Sequence, residues 1–408
     1  MSSESVTRVA NVAVLNPSKG PRKWIPAILV GVGLLLTVIA LPDAANRERL
    51  SFAYLVGFAF LWSVVLGSLF FVGLQHLTAA IWSVTIRRVA EMLAAPMWLL
   101  VPLFLPVLAF VFWPGEFQVF PWADAALVEH DALLIQKRQY LNVPFFAIRA
   151  AAFFLLWILF TRFFVGKSLK QDRGEGGVEA TLLMRKVSAP FAVIFAFTAT
   201  LAGFDWLMSL NPHWFSTMFG VYIFSGMVVT SLAAICIGTV VLRRAGLLGQ
   251  ADVSADQLYN LGCLLFAFVC FWGYIAFSQY MLIWYANIPE ETVWFAERMD
   301  RNWVGVSMVL PIVRFGIPFL LLLSRRAKSS PRVLVPVCIL MIVGQWLDLY
   351  WLIMPQFTGA EPVFGLYELG PPLLMTGLLL LWMFRFMKRH PMIAAKDPLM
   401  SRSRDFHL

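Results

Sequence analysis

Apolar runs long enough to cross a lipid bilayer recur from residue 24 almost to the end of the chain. A bilayer core of about 30 Å takes about 20 helical residues at a rise of about 1.5 Å each. Ten runs fit that length, at roughly 24–41, 50–76, 92–113, 143–165, 187–207, 214–242, 258–285, 302–323, 332–354 and 364–387. Lipid offers no hydrogen-bond partner to a free backbone group, so each run is expected to be a helix. The alternating segments of a membrane β-barrel are absent. The expected fold is therefore all-α: a polytopic membrane protein with about ten transmembrane helices. Composition agrees, with 60% hydrophobic and only 13% charged residues over 408 positions, far from the balance of a soluble domain. The chain divides into a polar N-terminal segment (1–23), a ten-helix membrane domain (24–388) and a polar C-terminal tail (389–408). The first apolar run follows a long polar stretch and lacks a small-residue cleavage site, so it reads as a span rather than a secretory signal.

The net charge of +9 is explained by orientation rather than by nucleic acid. With the N-terminus inside, the inner segments carry 23 Lys and Arg and the outer loops six. Arg149, Arg162 and Arg314 fall within spans. This bias places both termini in the cytoplasm. The protein is expected to lie in a membrane, surrounded by lipid.

The four cysteines (Cys236, Cys263, Cys270, Cys338) all lie in apolar runs, none in a CxxC pair. Among the histidines only His76 lies clearly inside a span. Haem held between helices needs axial ligands from the bundle, and iron–sulfur clusters need grouped thiolates. No metal site or cofactor is expected in this chain. The loop QDRGEGGVEA is glycine-rich but has no GK[ST] and no preceding strand, so it is not a phosphate loop. Of the two long outer loops, ADAALVEHDALLIQKRQYLN reads as a surface helix. ANIPEETVWFAERMDR reads as a short one, with Pro289 at its first turn and Glu290 and Glu291 at its positive end. Glycines in the spans, among them Gly67 and Gly226, suit close helix packing. Pro311 and Pro318 flank Arg314 and are expected to kink their helix, either lining a cavity or as a packing irregularity.

Ionisable residues at membrane depth are expensive and mark proton routes or ligand sites. The candidates for a proton path are Asp348, Asp205, Arg314, His213, Tyr350, Glu368, Gln345, Arg162 and His76. Gln345 and Asp348, three apart, share a helix face. Each has a plainer reading. Arg314 can be the ion-pair partner of Asp348 or Asp205. Asp205 can be a solvated helix end, His213 a turn cap, and Glu368 a helix N-terminal carboxylate. Arg162 and His76 can snorkel to the interface. Asp205 with His213 in FDWLMSLNPHW would also supply the carboxylate and imidazole that a quinol site needs as proton acceptors.

Four stretches, GSLFFVGLQHLTAAIWSVTIRRVAE, HDALLIQKRQYLNVPFF, GFDWLMSLNPHWFSTMFGVYIFSG and QYMLIWYANIPEET, together resemble the F-subunit family of bacterial alternative complex III. That family is similar to the polysulfide-reductase-type (NrfD-like) membrane subunits. The resemblance implies two four-helix bundles plus two peripheral helices. It implies a complex that oxidises menaquinol and passes electrons through iron–sulfur clusters and c-type haems, held in other subunits, to cytochrome c or an oxidase. The implied partners are a paralogous C subunit, an iron–sulfur subunit, c-haem subunits and a terminal oxidase. The C-type pattern carries a histidine shortly before the aspartate matching Asp205. Here the preceding stretch, TATLAG, has none. The resemblance therefore implies a structural subunit, not an enzyme by itself, with the proton path inferred from the buried polar residues, ahead of a quinone-binding subunit with its own site at Asp205 and His213. A stand-alone transporter would show repeated halves, and only WSVTIRRVAEML and TVVLRRAGLL echo one another.

Overall fold

Each apolar run winds into a helix, as the lack of lipid hydrogen-bond partners demands. A computed structural model describes residues 21–39, 41, 43–117, 119–248, 253–300, 302–358 and 361–407. Most of the N-terminal segment, including Arg8 and Lys19, and also Arg301 lie outside the described residues. Among those described, every regular element is helical and nine helices are long and apolar enough to cross a membrane. The chain is a multi-pass membrane protein. We label the apolar helices α1 (Ile25–Ile39), α2 (Ala44–Leu77), α3 (Val84–Phe112), α4 (Val143–Asp172), α5 (Gly177–Trp206), α6 (Phe219–Arg244), α7 (Ala255–Ala286), α8 (Trp303–Leu322), α9 (Pro331–Ile353) and α10 (Leu366–Arg389). The expected first span is the short one, 15 residues in α1.

Two helices depart from regular geometry, both at prolines, which remove a backbone donor and crowd the preceding turn. In α3 the segment Ala95–Leu99 tightens into a 3-10 turn around Pro96. In α8 residues Ile312–Gly316 form a π-helical turn between Pro311 and Pro318. The π turn carries Arg314.

Helices α2 to α5 form one four-helix bundle and α6 to α9 a second, joined mainly where α2 packs on α6. Helices α1 and α10 pair beside α2. A Cβ at Gly67 would lie 2.7 Å from the Met227 carbonyl oxygen, so glycine is what lets α2 and α6 approach. Glu368 fastens α10 to α2: its carboxylate takes Arg49 Nε at 2.6 Å and Nη2 at 2.7 Å, and accepts the Gly365 N–H at 2.7 Å.

Between α3 and α4 the expected single surface helix is two short ones, Ala125–Glu129 and Ala132–Lys137, started by Asp124 and Asp131 accepting backbone N–H groups. We call this side, which also bears the helix Pro289–Met299, the loop face. On the opposite tail face the C-terminal tail does not hang free. Met392, Ile393 and Ala394 are buried, Arg87 Nη2 meets Asp397 Oδ2 at 2.5 Å, and Gln257 Nε2 donates to the Ser403 carbonyl at 2.7 Å.

Candidate functional site

The third and fourth helices of each bundle share a buried arginine and aspartate. In the first bundle the pair is Arg149 on α4 and Asp205 on α5. In the second it is Arg314 on α8 and Asp348 on α9. Their geometries differ.

Asp205 has no exposed surface. Arg149 grips it with two parallel bonds, Nε to Oδ2 at 2.7 Å and Nη2 to Oδ1 at 3.0 Å. Such paired contacts are the strong form of the interaction. The remaining guanidinium edge donates to the Tyr140 carbonyl at 2.9 Å, and the cation lies 3.9 Å from the Tyr140 ring centre. The main chain at Asp205 is held too: its carbonyl accepts Ser209 Oγ–H at 2.5 Å, and Ser209 Oγ accepts the Trp122 indole N–H at 3.1 Å. These contacts tie α4, α5 and the loop after α3 together.

Asp348 is equally buried, at 1% exposure, and so is Arg314. Here the pair is loose. Arg314 Nη2 stands 3.3 Å from Asp348 Oδ2 without the alignment of a hydrogen bond. The carboxylate is satisfied from other helices: the Tyr222 hydroxyl on α6 donates to Oδ1, and the Trp272 indole on α7 donates to Oδ2 at 3.2 Å. Arg314 lies 4.7 Å from the Trp272 ring centre, a cation–π contact. Its nitrogens, and Oε1 of Gln345, have no hydrogen-bond partner among the described residues. All four helices of the second bundle thus converge on one carboxylate.

Two glycines make the space. A Cβ at Gly226 would lie 2.8 Å from Gln345 Oε1 and 3.0 Å from Arg314 Nη2. One at Gly344 would lie 2.9 Å from the Arg314 Cδ. The π turn adds the rotation that points Arg314 inward, as such turns often do at functional sites.

Of the nine sequence candidates, Asp348, Arg314 and Gln345 come together. Asp205's partner is Arg149, not Arg314. Asp205 and His213 do not form a joint site: His213 is exposed and its Nε2 meets Asp131 Oδ2 at 2.5 Å, while Asp205 is sealed by Arg149. The turn that holds NPHW directs the imidazole outward to the loop helix. Backbone N–H bonds from Leu134 and Leu133, with His213 beside it, hold the Asp131 carboxyl below its ordinary range. Tyr350 donates to the Val363 carbonyl at 2.6 Å, steadying the link to α10. Glu368 is committed to Arg49. Arg162 is exposed on α4. His76 is buried at the tail face, stacked on Phe164 with centroids 5.6 Å apart.

Sequence reasoning missed Tyr222 and Trp272. A tyrosine deep in an apolar run was the available signal for the first; the indole, one of 16 tryptophans in the chain, offered none. It also counted as loop charges three arginines that are buried. Arg87 and Arg88 share Glu91 and reach Asp397 and Asp172. Arg298, wholly buried, donates to the Trp294, Trp351 and Leu352 carbonyls at 2.9, 3.2 and 2.9 Å. The last two belong to the C-terminal end of α9, where a cation is favoured. Burial pushes the Arg298 pKa down, to about 9.

No protein-family model and no curated protein matches this chain. Among the described residues no three His, Cys, Asp or Glu side chains gather as metal ligands.

Proposed function

We propose that this chain is an integral subunit, without a cofactor of its own, of a quinol-oxidising complex of the alternative complex III type, and that its second bundle passes protons at Asp348. The reading places it in a bacterial inner membrane with both termini cytoplasmic. Iron–sulfur clusters and c-type haems belong to its partners, among them a paralogous C subunit and a terminal electron acceptor. Electron transfer is the work of the assembly. Support for the family comes from the four long motifs quoted above.

Support for the proton role rests on one observation. Asp348 is a fully buried carboxylate held by a hydroxyl and an indole, beside an arginine that stands near it without locking it. Asp205, by contrast, is gripped on both oxygens by one cation, which fixes its side chain in place. Asp348 has a neighbouring hydroxyl in contact and unfilled donors behind it, so it can change protonation state by small side-chain movements. Quinol-driven proton release, followed in proteoliposomes containing the assembled complex, tests this. Asp348→Asn is expected to keep quinol oxidation and lose most proton translocation. Asp205→Asn is expected to weaken assembly without uncoupling. Full translocation in a correctly assembled Asp348→Asn complex overturns the role.

A further inference from the structure

The loop-face half of the second bundle encloses a cavity of about 730 Å³ between α7 and α8. That lies within the range of about 300–1,000 Å³ seen for small-molecule sites. Pro311 and Phe315 line it from α8, and Trp272, Gly273 and Ala276 from α7. The mouth is edged by Tyr274, Phe277 and Met308, all exposed on the flank of the bundle, so the cavity opens toward lipid. Its roof is the loop helix Pro289–Met299, through Trp294, Phe295 and Met299, held down by the buried Arg298. Its inner wall includes Tyr222 and Trp272, the two donors to Asp348.

Three properties restrict what this cavity can hold. No Lys, Arg, His, Asp or Glu lines it. A phosphate headgroup would lose its hydration there with no counter-charge, which is costly. The occupant is therefore neutral. The walls are largely aromatic, which favours a flat ring stacked among rings. One buried polar group faces in without a partner: Gln279 lines the cavity at 5% exposure, and its amide has no hydrogen bond among the described residues. An amide both donates and accepts. It can meet a ring carbonyl, or the hydroxyl that carbonyl becomes on reduction.

We propose that this cavity is a binding site for a neutral, ring-bearing prenyl lipid of the isoprenoid-quinone class. The ring lies between the α7 and α8 aromatics with an oxygen on Gln279, and the prenyl tail leaves past Tyr274 and Phe277 into the membrane. The choice of a quinone among neutral ring lipids rests on the function proposed above. The site is separate from Asp205 and His213 and stands one side chain away from Asp348.

The test uses the full chain, purified with whatever partners accompany it and placed in nanodiscs, with menaquinone of short prenyl tail as probe. Retained probe is measured by extraction and mass spectrometry across a titration. The native chain is expected to hold about one quinone. Gln279→Leu should bind about tenfold more weakly, the loss of one hydrogen bond in apolar surroundings. Ala276→Phe, which fills the cavity from its wall, should remove about one saturably bound quinone per chain and leave any held by partner subunits; thermal unfolding of each variant confirms that it is folded. Unchanged binding in a folded Ala276→Phe variant overturns the site, as does recovery of phospholipid in place of quinone from the native chain. Haem-bearing partners that co-purify with a native chain free of quinone refute the site and leave the subunit reading standing. Quinone bound saturably by a chain without such partners supports the site and removes that reading.

Discussion

Removing the charge of Asp348 should cost more than the loose geometry of its pair suggests, because Arg314 keeps its charge in a buried setting with only the Trp272 ring face and the Gln345 amide oxygen near it. The two side chains are 0% and 2% exposed, with Nη2 and Oδ2 3.3 Å apart. At an effective dielectric of about 20 the Coulomb attraction at that separation is about 5 kcal/mol. Both ions were desolvated to get there, so the pair as a whole contributes little. Taking away one partner leaves an uncompensated buried cation, at a cost of about 3–5 kcal/mol. Asp348→Leu and Arg314→Met alone should each destabilise by that amount. The double variant, with two apolar side chains in a dry bundle, should recover to within about 1–2 kcal/mol of native. Unfolding in mixed micelles, followed by tryptophan fluorescence, measures all four forms. The cycle also separates folding from function, because the double variant should assemble yet translocate no protons. Two results would refute the reasoning: single variants within about 0.5 kcal/mol of native, or a double variant no more stable than the worse single.

Three further outcomes follow from named contacts. Gly226→Ala puts a methyl 2.8 Å from Gln345 Oε1 and 3.0 Å from Arg314 Nη2; both are ends of flexible side chains, so stability should fall by only about 1–2 kcal/mol while proton translocation drops more than quinol oxidation in the same liposomes. Arg298→Met abandons three carbonyl bonds in a buried setting and should cost about 2–4 kcal/mol, read as faster proteolysis within the loop helix Pro289–Met299. His390, outside the spans, has its pKa lowered by burial and then by Arg88, Arg389 and Arg173. The unfolded chain therefore binds a proton that the folded tail refuses, so tail stability is intact above the ordinary histidine range and falls as pH drops through it. Hydrogen exchange over residues 391–404 should quicken on acidification in the native chain and less so in His390→Phe.

The helices were legible because lipid leaves the backbone no other option, and a run of 20 apolar residues is hard to misread. Helix ends were less so. α3 begins at Val84, before the apolar run, because Arg87, Arg88 and Glu91 satisfy one another and let a polar stretch continue the helix. Asp348, Arg314 and Gln345 could be found by depth and spacing. Tyr222 could not be told from other aromatics, since its role depends on a carboxylate 126 positions away. Arg298 was hidden for a different reason. Charge counting assumes that loop arginines face water, and this one is buried against the end of α9.

The two Asp–Arg pairs argue most strongly for where function resides. Both join the third and fourth helices of a bundle, and both are sealed from solvent, so burial alone cannot distinguish them. What differs is how completely each arginine is used. Arg149 donates through Nε, Nη1 and Nη2 and stacks on Tyr140. That guanidinium is fixed on every edge, so the pair is locked in place. Arg314 donates to no described residue and approaches its carboxylate from one side only. Neutralising Asp348 leaves that cation near the Trp272 face and the Gln345 oxygen, both of which can accept it. The side chains around Asp348 are therefore freer to rearrange, with two glycines and a π turn beside them. A packing requirement alone would have been met better by the Arg149 arrangement. The looser pair is the one whose geometry is explained by a change of state, and Gly226→Ala, which crowds the space while removing neither charge, is the substitution that isolates that property.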